Sequence, residues 1–213
     1  GRLGKVVLCD TAIKWWRTQE YYESGAWRGT WDLDGGGALM NQSIHTIDLM
    51  LYLMGDVQSV SASGGLEAHS GIEVEDVAVA IIEFKSGARG VIQASTACYS
   101  NTGLPASIHI CGDQGSIRMV DDKFNIWDLK HPLAGDDEIL QNHGLQSSQS
   151  GAGAADPKAI DFQWHQRNFE NALLALDKNE TPAVDGKEGR RAVELICAIY
   201  ESIKNHGIKI TLK

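Results

Sequence analysis

The sequence predicts an α+β domain: an open-faced, predominantly antiparallel β-sheet with helices packed on one face. Three observations carry that prediction. From Val57 to about Trp127 the chain is a succession of short alternating runs, VQSVSASGGL, EDVAVAIIEF, ARGVIQASTA, ASIHICG, SIRMV and FNIWD. Turn residues separate several of these runs, and sequential strands joined by tight turns pair antiparallel, because parallel strands need a long crossover. Helical periodicity is confined to one segment before the strands and two after them.

The elements follow in order. GRLGKVVLCDTAI reads as a strand already under way, with Val6, Leu8 and Asp10 alternating with Val7, Cys9 and Thr11. The next stretch, KWWRTQEYYESGAWRGTWDLD, packs four tryptophans and two tyrosines into a short polar segment. A helix is predicted from about Ala38 to Met54, ended by Gly55. Ser86-Gly87 and the Gly-Asp-Gln-Gly run at 112–115 sit where hairpin turns belong. Residues 131–157, rich in Gly, Ser, Gln and Asp, read as a long mobile loop within a single domain spanning 1–213, of a length that is often functional. Two helices close the chain, at about Lys158–Leu176 and Gly186–His206, with Gly207 stopping the second. About six or seven strands are expected.

Composition bounds the partners. With 213 residues the chain can bury a full core. A net charge of −9 without clustered Lys or Arg excludes nucleic acid as a partner. No apolar run is long enough for a membrane span, and no signal-peptide pattern opens the chain. The four cysteines never form CxxC, so neither a metal site nor a disulfide framework is expected. The default is a cytoplasmic protein with reduced, mostly buried thiols.

The segment WDLDGGGALMNQSIHTIDLMLYLMG poses the functional question, since glycines opening a helix often hold phosphate. A dinucleotide fingerprint needs GxGxxG after a buried strand inside a βαβ unit. Here Gly35, Gly36 and Gly37 are consecutive, the preceding segment is aromatic and polar, and Leu39 and Met40 stand where the third glycine belongs. The run is therefore not a nucleotide loop, though glycine still lets something approach the backbone closely. On an α-helical wheel Asn41, His45, Asp48 and Tyr52 share a narrow sector, beside an apolar face of Met40, Ile44, Ile47, Leu51 and Met54. Such a stripe faces either satisfying partners or a water-lined cleft. In a cleft, His45 suits proton transfer with Asp48 in reach to fix its tautomer; as a core group it would simply be a satisfied histidine. Trp15, Trp16, Tyr21, Tyr22, Trp27 and Trp31, interleaved with Lys14, Arg17 and Arg28, offer flat faces and donors to a sugar-like ligand, although a core strand and interface loop would use the same residues.

The pattern WRGTWDLDGGGALMNQSIHTIDLMLYLMG resembles the C-terminal domain of the Gfo/Idh/MocA oxidoreductases, and the resemblance runs on through DVAVAIIEFKSGARGVIQAS, CGDQGSIRMV and TPAVDGKEGRRAVELICAIYES. It implies a two-domain dehydrogenase whose N-terminal Rossmann domain binds NAD or NADP, with this chain as the substrate and oligomerisation half. The parent would act on a secondary alcohol or ketone of a sugar, nucleotide sugar or cyclitol. By the resemblance His45 is the catalytic acid/base, near a lysine from the Rossmann domain. Asn41 stands where the family often has Asp; it cannot take up a proton, so its implied role is to hold a substrate hydroxyl. Asp48 would orient the imidazole, Lys14, Arg17, Trp27 and Arg28 would contact substrate, and Gly35, Gly36 and Gly37 would lie near the nicotinamide. His165, in FQWHQRNF, is either a further wall of the cleft or a surface or capping histidine. The MNQ-x-IH wording is shared with a nucleotide-sugar branch. The resemblance also implies a homo-oligomer assembled through the open sheet face, and a chain that alone binds cofactor weakly and turns nothing over. The alternative is a stand-alone, non-catalytic ligand-binding or assembly module of the same fold.

Overall fold

Alternating polarity gives strands that bury one face, and in the computed structural model, which describes residues 1–145 and 163–213, they form one sheet. Its strands are β1 (Val6–Lys14), β2 (Val57–Gly65), β3 (Val77–Phe84), β4 (Arg89–Ser95), β5 (Ser107–Gly112), β6 (Gly115–Val120), β7 (Lys123–Leu129) and β8 (Ile210–Thr211). Their spatial order is β7-β6-β5-β1-β4-β3-β2-β8. Every pairing in that order is antiparallel except β1 with β4, which run parallel. β1 thus lies in the middle of the sheet and holds apart β4 and β5, which are neighbours in sequence. Both expected hairpin turns form: Gly87 turns with a φ of 90° and donates its N–H to Phe84 O, and β5 passes to β6 through 112–115.

The helical elements are α1 (Gln19–Glu23), a π-helical segment (Ala38–Ser43) running into α2 (Ile44–Met54), then α3 (Asp136–His143), α4 (Gln163–Lys178) and α5 (Gly186–Lys204). α2 and α5 cover one face of the sheet. Ile47, Met50 and Leu51 of α2 and Leu195, Ile196 and Ile199 of α5 are buried with Cys9, Val60, Ile82, Phe84 and Ile92 of the strands. Burying each such large side chain contributes about 2 kcal/mol. α5 starts at Asp185, whose carboxylate accepts the N–H groups of Lys187 (2.8 Å) and Glu188 (2.9 Å). On the opposite sheet face Val79 and Ile81 stand 47% and 62% exposed, so the sheet is open there.

The structure corrects several expectations. The segment 131–157 is not loop throughout, because Asp136–His143 forms α3. Its first turn carries Asp136, Asp137 and Glu138, which suit a helix N-terminus electrostatically without giving an apolar period to read. Arg2 anchors it through two 2.7 Å bonds to the Asp136 carboxylate. Residues 146–157 of the expected loop and the predicted helix start at 158–162 lie outside the described residues. β8 was too short to anticipate. Of the cysteines only Cys9 is buried, and Cys197 is exposed. No helix among the described residues is long and apolar enough to cross a membrane.

Candidate functional site

The glycine run is shaped by one buried carboxylate. Glu75, just before β3, accepts the N–H of Gly37 (3.0 Å) and of Leu39 (2.8 Å) and the hydroxyl of Tyr200 (3.1 Å), while its own carbonyl accepts the N–H of Ala38 (3.0 Å). A Cβ on Gly36 would collide with the Tyr200 hydroxyl, and one on Gly37 with the Glu75 carbonyl. The close approach these two glycines permit is therefore to the chain itself, and both are buried. Gly35 alone of the three is exposed, with a φ of 75°. The helix N-terminus is thus capped from within. Burial pushes the Glu75 carboxyl above its ordinary range, against the backbone bonds that favour its charged form. Burial, and then the neighbouring Glu75 charge, raise the Tyr200 phenol.

The π-helical turn carries a hydrogen-bonded chain into the aromatic segment. Arg17 donates to Gln42 Oε1 (2.9 Å), and Gln42 donates to the Tyr21 hydroxyl (3.0 Å) and to Asn41 Oδ1 (2.6 Å). Asn41 donates in turn to Asp34, whose other oxygen accepts the N–H of Gly29 (2.8 Å). The Arg17 guanidinium lies 5.0 Å from the Trp15 ring and 5.4 Å from Tyr21, and that of Arg28 lies 4.1 Å from Tyr21 and 4.4 Å from Trp27. Beneath them Asp76 accepts the N–H groups of Glu67, Ala68 and His69 at 2.8–3.0 Å and pairs with His69 Nδ1 at 2.9 Å. His69 Nε2 meets the Arg17 carbonyl at 2.8 Å, so both ring nitrogens face acceptors and the ring ties β3 to the aromatic segment. Burial alone would raise the Asp76 carboxyl, but the three backbone donors and His69 outweigh it and hold it below its ordinary value.

The expected site residues divide into two groups. Asn41, Arg17 and Arg28 come together in this cluster, with Trp27 43% exposed at its edge. His45 and Asp48 are exposed on the solvent side of α2, and among the described residues no hydrogen bond joins them. The polar stripe is real but lies at the surface rather than in the core. Asn41 also leaves the α-helical alignment with His45, because the turn that carries it is π-helical and wider than the wheel assumes. Its amide is held by Asp34 and Gln42. Lys14 is half-buried at the end of β1, and His165 is exposed on α4, outside this network. A cavity of about 550 Å³ lies instead at the β6–β7 end, lined by Gln114, Trp127, Lys130 and Leu140 among others, and holds none of the expected residues. Glu75, Asp76, His69, Gln42 and Tyr200 escaped sequence reasoning. The one signal was the adjacent acidic pair Glu75-Asp76 opening an otherwise apolar strand.

An open, mostly antiparallel sheet backed by helices on one face places the chain in the open-faced α+β class. The chain belongs to the Gfo/Idh/MocA oxidoreductase family: residues 1–212 match its C-terminal alpha/beta domain. Among characterised relatives it is 26% identical over 178 residues to a myo-inositol 2-dehydrogenase of Thermotoga maritima, a match covering 79% of this chain and 47% of that protein. It is 26% identical over 175 residues to a D-apiose dehydrogenase of Rhizobium rhizogenes, covering 76% and 45%. Among solved structures, the WlbA dehydrogenase of Chromobacterium violaceum in complex with NADH and UDP-GlcNAcA superimposes with a TM-score of 0.82 at 32% identity, over 100% of this chain and 56% of that one. The WlbA dehydrogenase of Bordetella pertussis, with the same two ligands, gives 0.80 and 30% over the same shares. The chain spans about half the length of the relatives it matches.

Proposed function

We propose that this chain is the substrate and assembly half of a cytoplasmic NAD(P)-dependent oxidoreductase that interconverts a secondary alcohol and a ketone on a sugar, with nucleotide sugars the favoured class. The observation that carries the reading is 32% identity along the whole chain to a dehydrogenase held with NADH and UDP-GlcNAcA. The exposed stripe bearing His45, beside a surface of indole and guanidinium groups, supports it chemically. The nicotinamide, held by a preceding Rossmann domain, supplies the hydride chemistry. His45 takes the hydroxyl proton as the carbon loses hydride, and returns a proton to the ketone oxygen in the reverse direction. Asp48, one turn further along α2, steers the imidazole once substrate is in place. Asn41, fixed by Asp34 and Gln42, presents its amide to a substrate hydroxyl. Gly35 is the glycine left to face the cofactor. The open sheet face carries a homo-oligomer interface.

The test is turnover by the full-length gene product, followed by absorbance of reduced nicotinamide, with UDP-GlcNAcA, myo-inositol and D-apiose each offered with NAD and NADP. Activity is expected with the nucleotide sugar and none from the isolated 213-residue chain. A full-length protein silent on every substrate, or an isolated chain that turns over, sinks the reading.

A further inference from the structure

Arg28 is a guanidinium without a counter-charge among the described residues. Arg2, Arg89, Arg190 and Arg191 each meet a carboxylate, yet among the described residues no ion pair or hydrogen bond engages the Arg28 side chain. This happens in a chain with 28 acidic residues against 19 basic ones, where acidic partners are plentiful. Arg28 is also half-buried and lies over two rings, Tyr21 at 4.1 Å and Trp27 at 4.4 Å. Two ring contacts of this length restrain the guanidinium, and among the described residues its N–H groups meet no acceptor. A cation stacked in this way has little left to lose in rotamer entropy when an anion arrives.

Its surroundings point the same way. The Arg17 guanidinium lies over the same Tyr21 ring at 5.4 Å, so two positive groups share one aromatic support. The acid bonded into the adjoining network, Asp34, is already engaged by Asn41 and the Gly29 N–H. Tyr21 accepts from Gln42, three residues ahead of His45, which ties Arg28 to the segment that leads into α2. The result is two guanidinium groups on one aromatic support, linked through Gln42 to the element that carries the acid/base candidate.

We propose that Arg28 reads an oxyanion on the substrate, carboxylate or diphosphate, and so selects charged sugars over neutral ones; this rests on the oxidoreductase reading above. The guanidinium donates paired N–H groups to two anion oxygens, an arrangement a lysine ammonium cannot copy. Arg28 contributes to affinity and selectivity, and the proton and hydride transfers proceed without it.

Calorimetric titration of the full-length protein with UDP and, separately, with glucuronate tests this without any redox step. The unaltered protein is expected to bind at least one of them saturably, and Arg28→Ala to bind it about tenfold more weakly or worse. Arg28→Lys, which keeps charge and stem, recovers only part of that loss and guards against a folding defect in the alanine variant. A loss confined to UDP assigns the diphosphate as the anion that is read, and a loss confined to glucuronate assigns the carboxylate. Equal affinities for the unaltered and variant proteins, or no saturable binding of either probe, overturn the assignment. Failure of the oxidoreductase reading shows separately, as absent nicotinamide turnover while the Arg28-dependent binding persists.

Discussion

At the scale of single residues, the proposed acid/base group and the groups that hold shape are different side chains, and each can be tested alone. His45 is exposed, and among the described residues no hydrogen bond engages its side chain, so His45→Gln is expected to leave the unfolding midpoint unchanged. In the full-length enzyme it should lower kcat by roughly 10² to 10⁴, the usual weight of a positioned acid/base group, and steady-state kinetics check this. A variant within twofold of the parent rate removes His45 from the reaction. Glu75 is the converse case. Glu75→Ala orphans the buried N–H groups of Gly37 and Leu39 and the Tyr200 hydroxyl, a cost of about 3 kcal/mol or more measurable by urea unfolding. The sign of its pH dependence follows from its environment. Burial raises the folded carboxyl above its unfolded value, so the folded state binds that proton more tightly. Its contribution is therefore greatest below the ordinary glutamate range and declines as pH rises through the raised value. Glu75→Gln should remove that decline on the side above the ordinary glutamate range, even though the variant is less stable throughout. His45 was legible as part of a polar stripe on an apolar helix. Glu75 was not, because a buried carboxylate looks like a solvated one until its three donors are located.

At the scale of elements, β3 and β4 were legible because each buries alternate residues against the helices, and the other strands from β2 to β7 because turn chemistry bounds short runs rich in strand-forming residues. The place of β1 was not. Its pairing with β4 and β5 joins residues some eighty to a hundred positions apart, and alternation says that a strand exists without naming its neighbours. The π-helical turn was equally hidden, since a helical wheel counts every turn as α and so placed Asn41 in line with His45. The glycine run offers a direct check on what that turn requires. Gly35 has a φ of 75°, and a Cβ there would make only an ordinary contact with Met40 Cγ at 3.9 Å, so Gly35→Ala costs about 1–2 kcal/mol in left-handed backbone strain alone. In Gly37→Ala the new methyl meets the Glu75 carbonyl, backbone that cannot retreat without giving up the bond to Ala38. Its loss in urea unfolding should exceed that of Gly35→Ala by at least about 2 kcal/mol. Equal costs at the two positions would mean that the clasp by Glu75 does not shape this turn.

At the scale of the whole molecule, the sheet has one face covered by α2 and α5 and one face open, and the proposed homo-oligomer interface can be tested on the open face. Register places Ile81 between Ser61 and Val91, Val91 beside Asp10, and Asp10 beside His109, so one row across five strands runs from polar through apolar to titratable groups. Ile81 and Val91 form its apolar part, Val79 lies two residues along β3 on the same face, and Val79 and Ile81 are 47% and 62% exposed. Two copies stacked face to face about a twofold axis bury each such residue twice, once per protomer, which makes the face sensitive to a single charge. Ile81→Lys places an ammonium on both sides of that contact, while the side chain, already 62% exposed in the single chain, is not needed for the core. The expected result is a fall in mass by light scattering to that of the monomer, with circular dichroism and the urea midpoint of the monomer unchanged. His45→Gln, on the opposite side of the molecule's chemistry, should leave the mass alone. If Ile81→Lys keeps the parent mass, assembly does not use the centre of this face, and the apolar row must be covered in some other way.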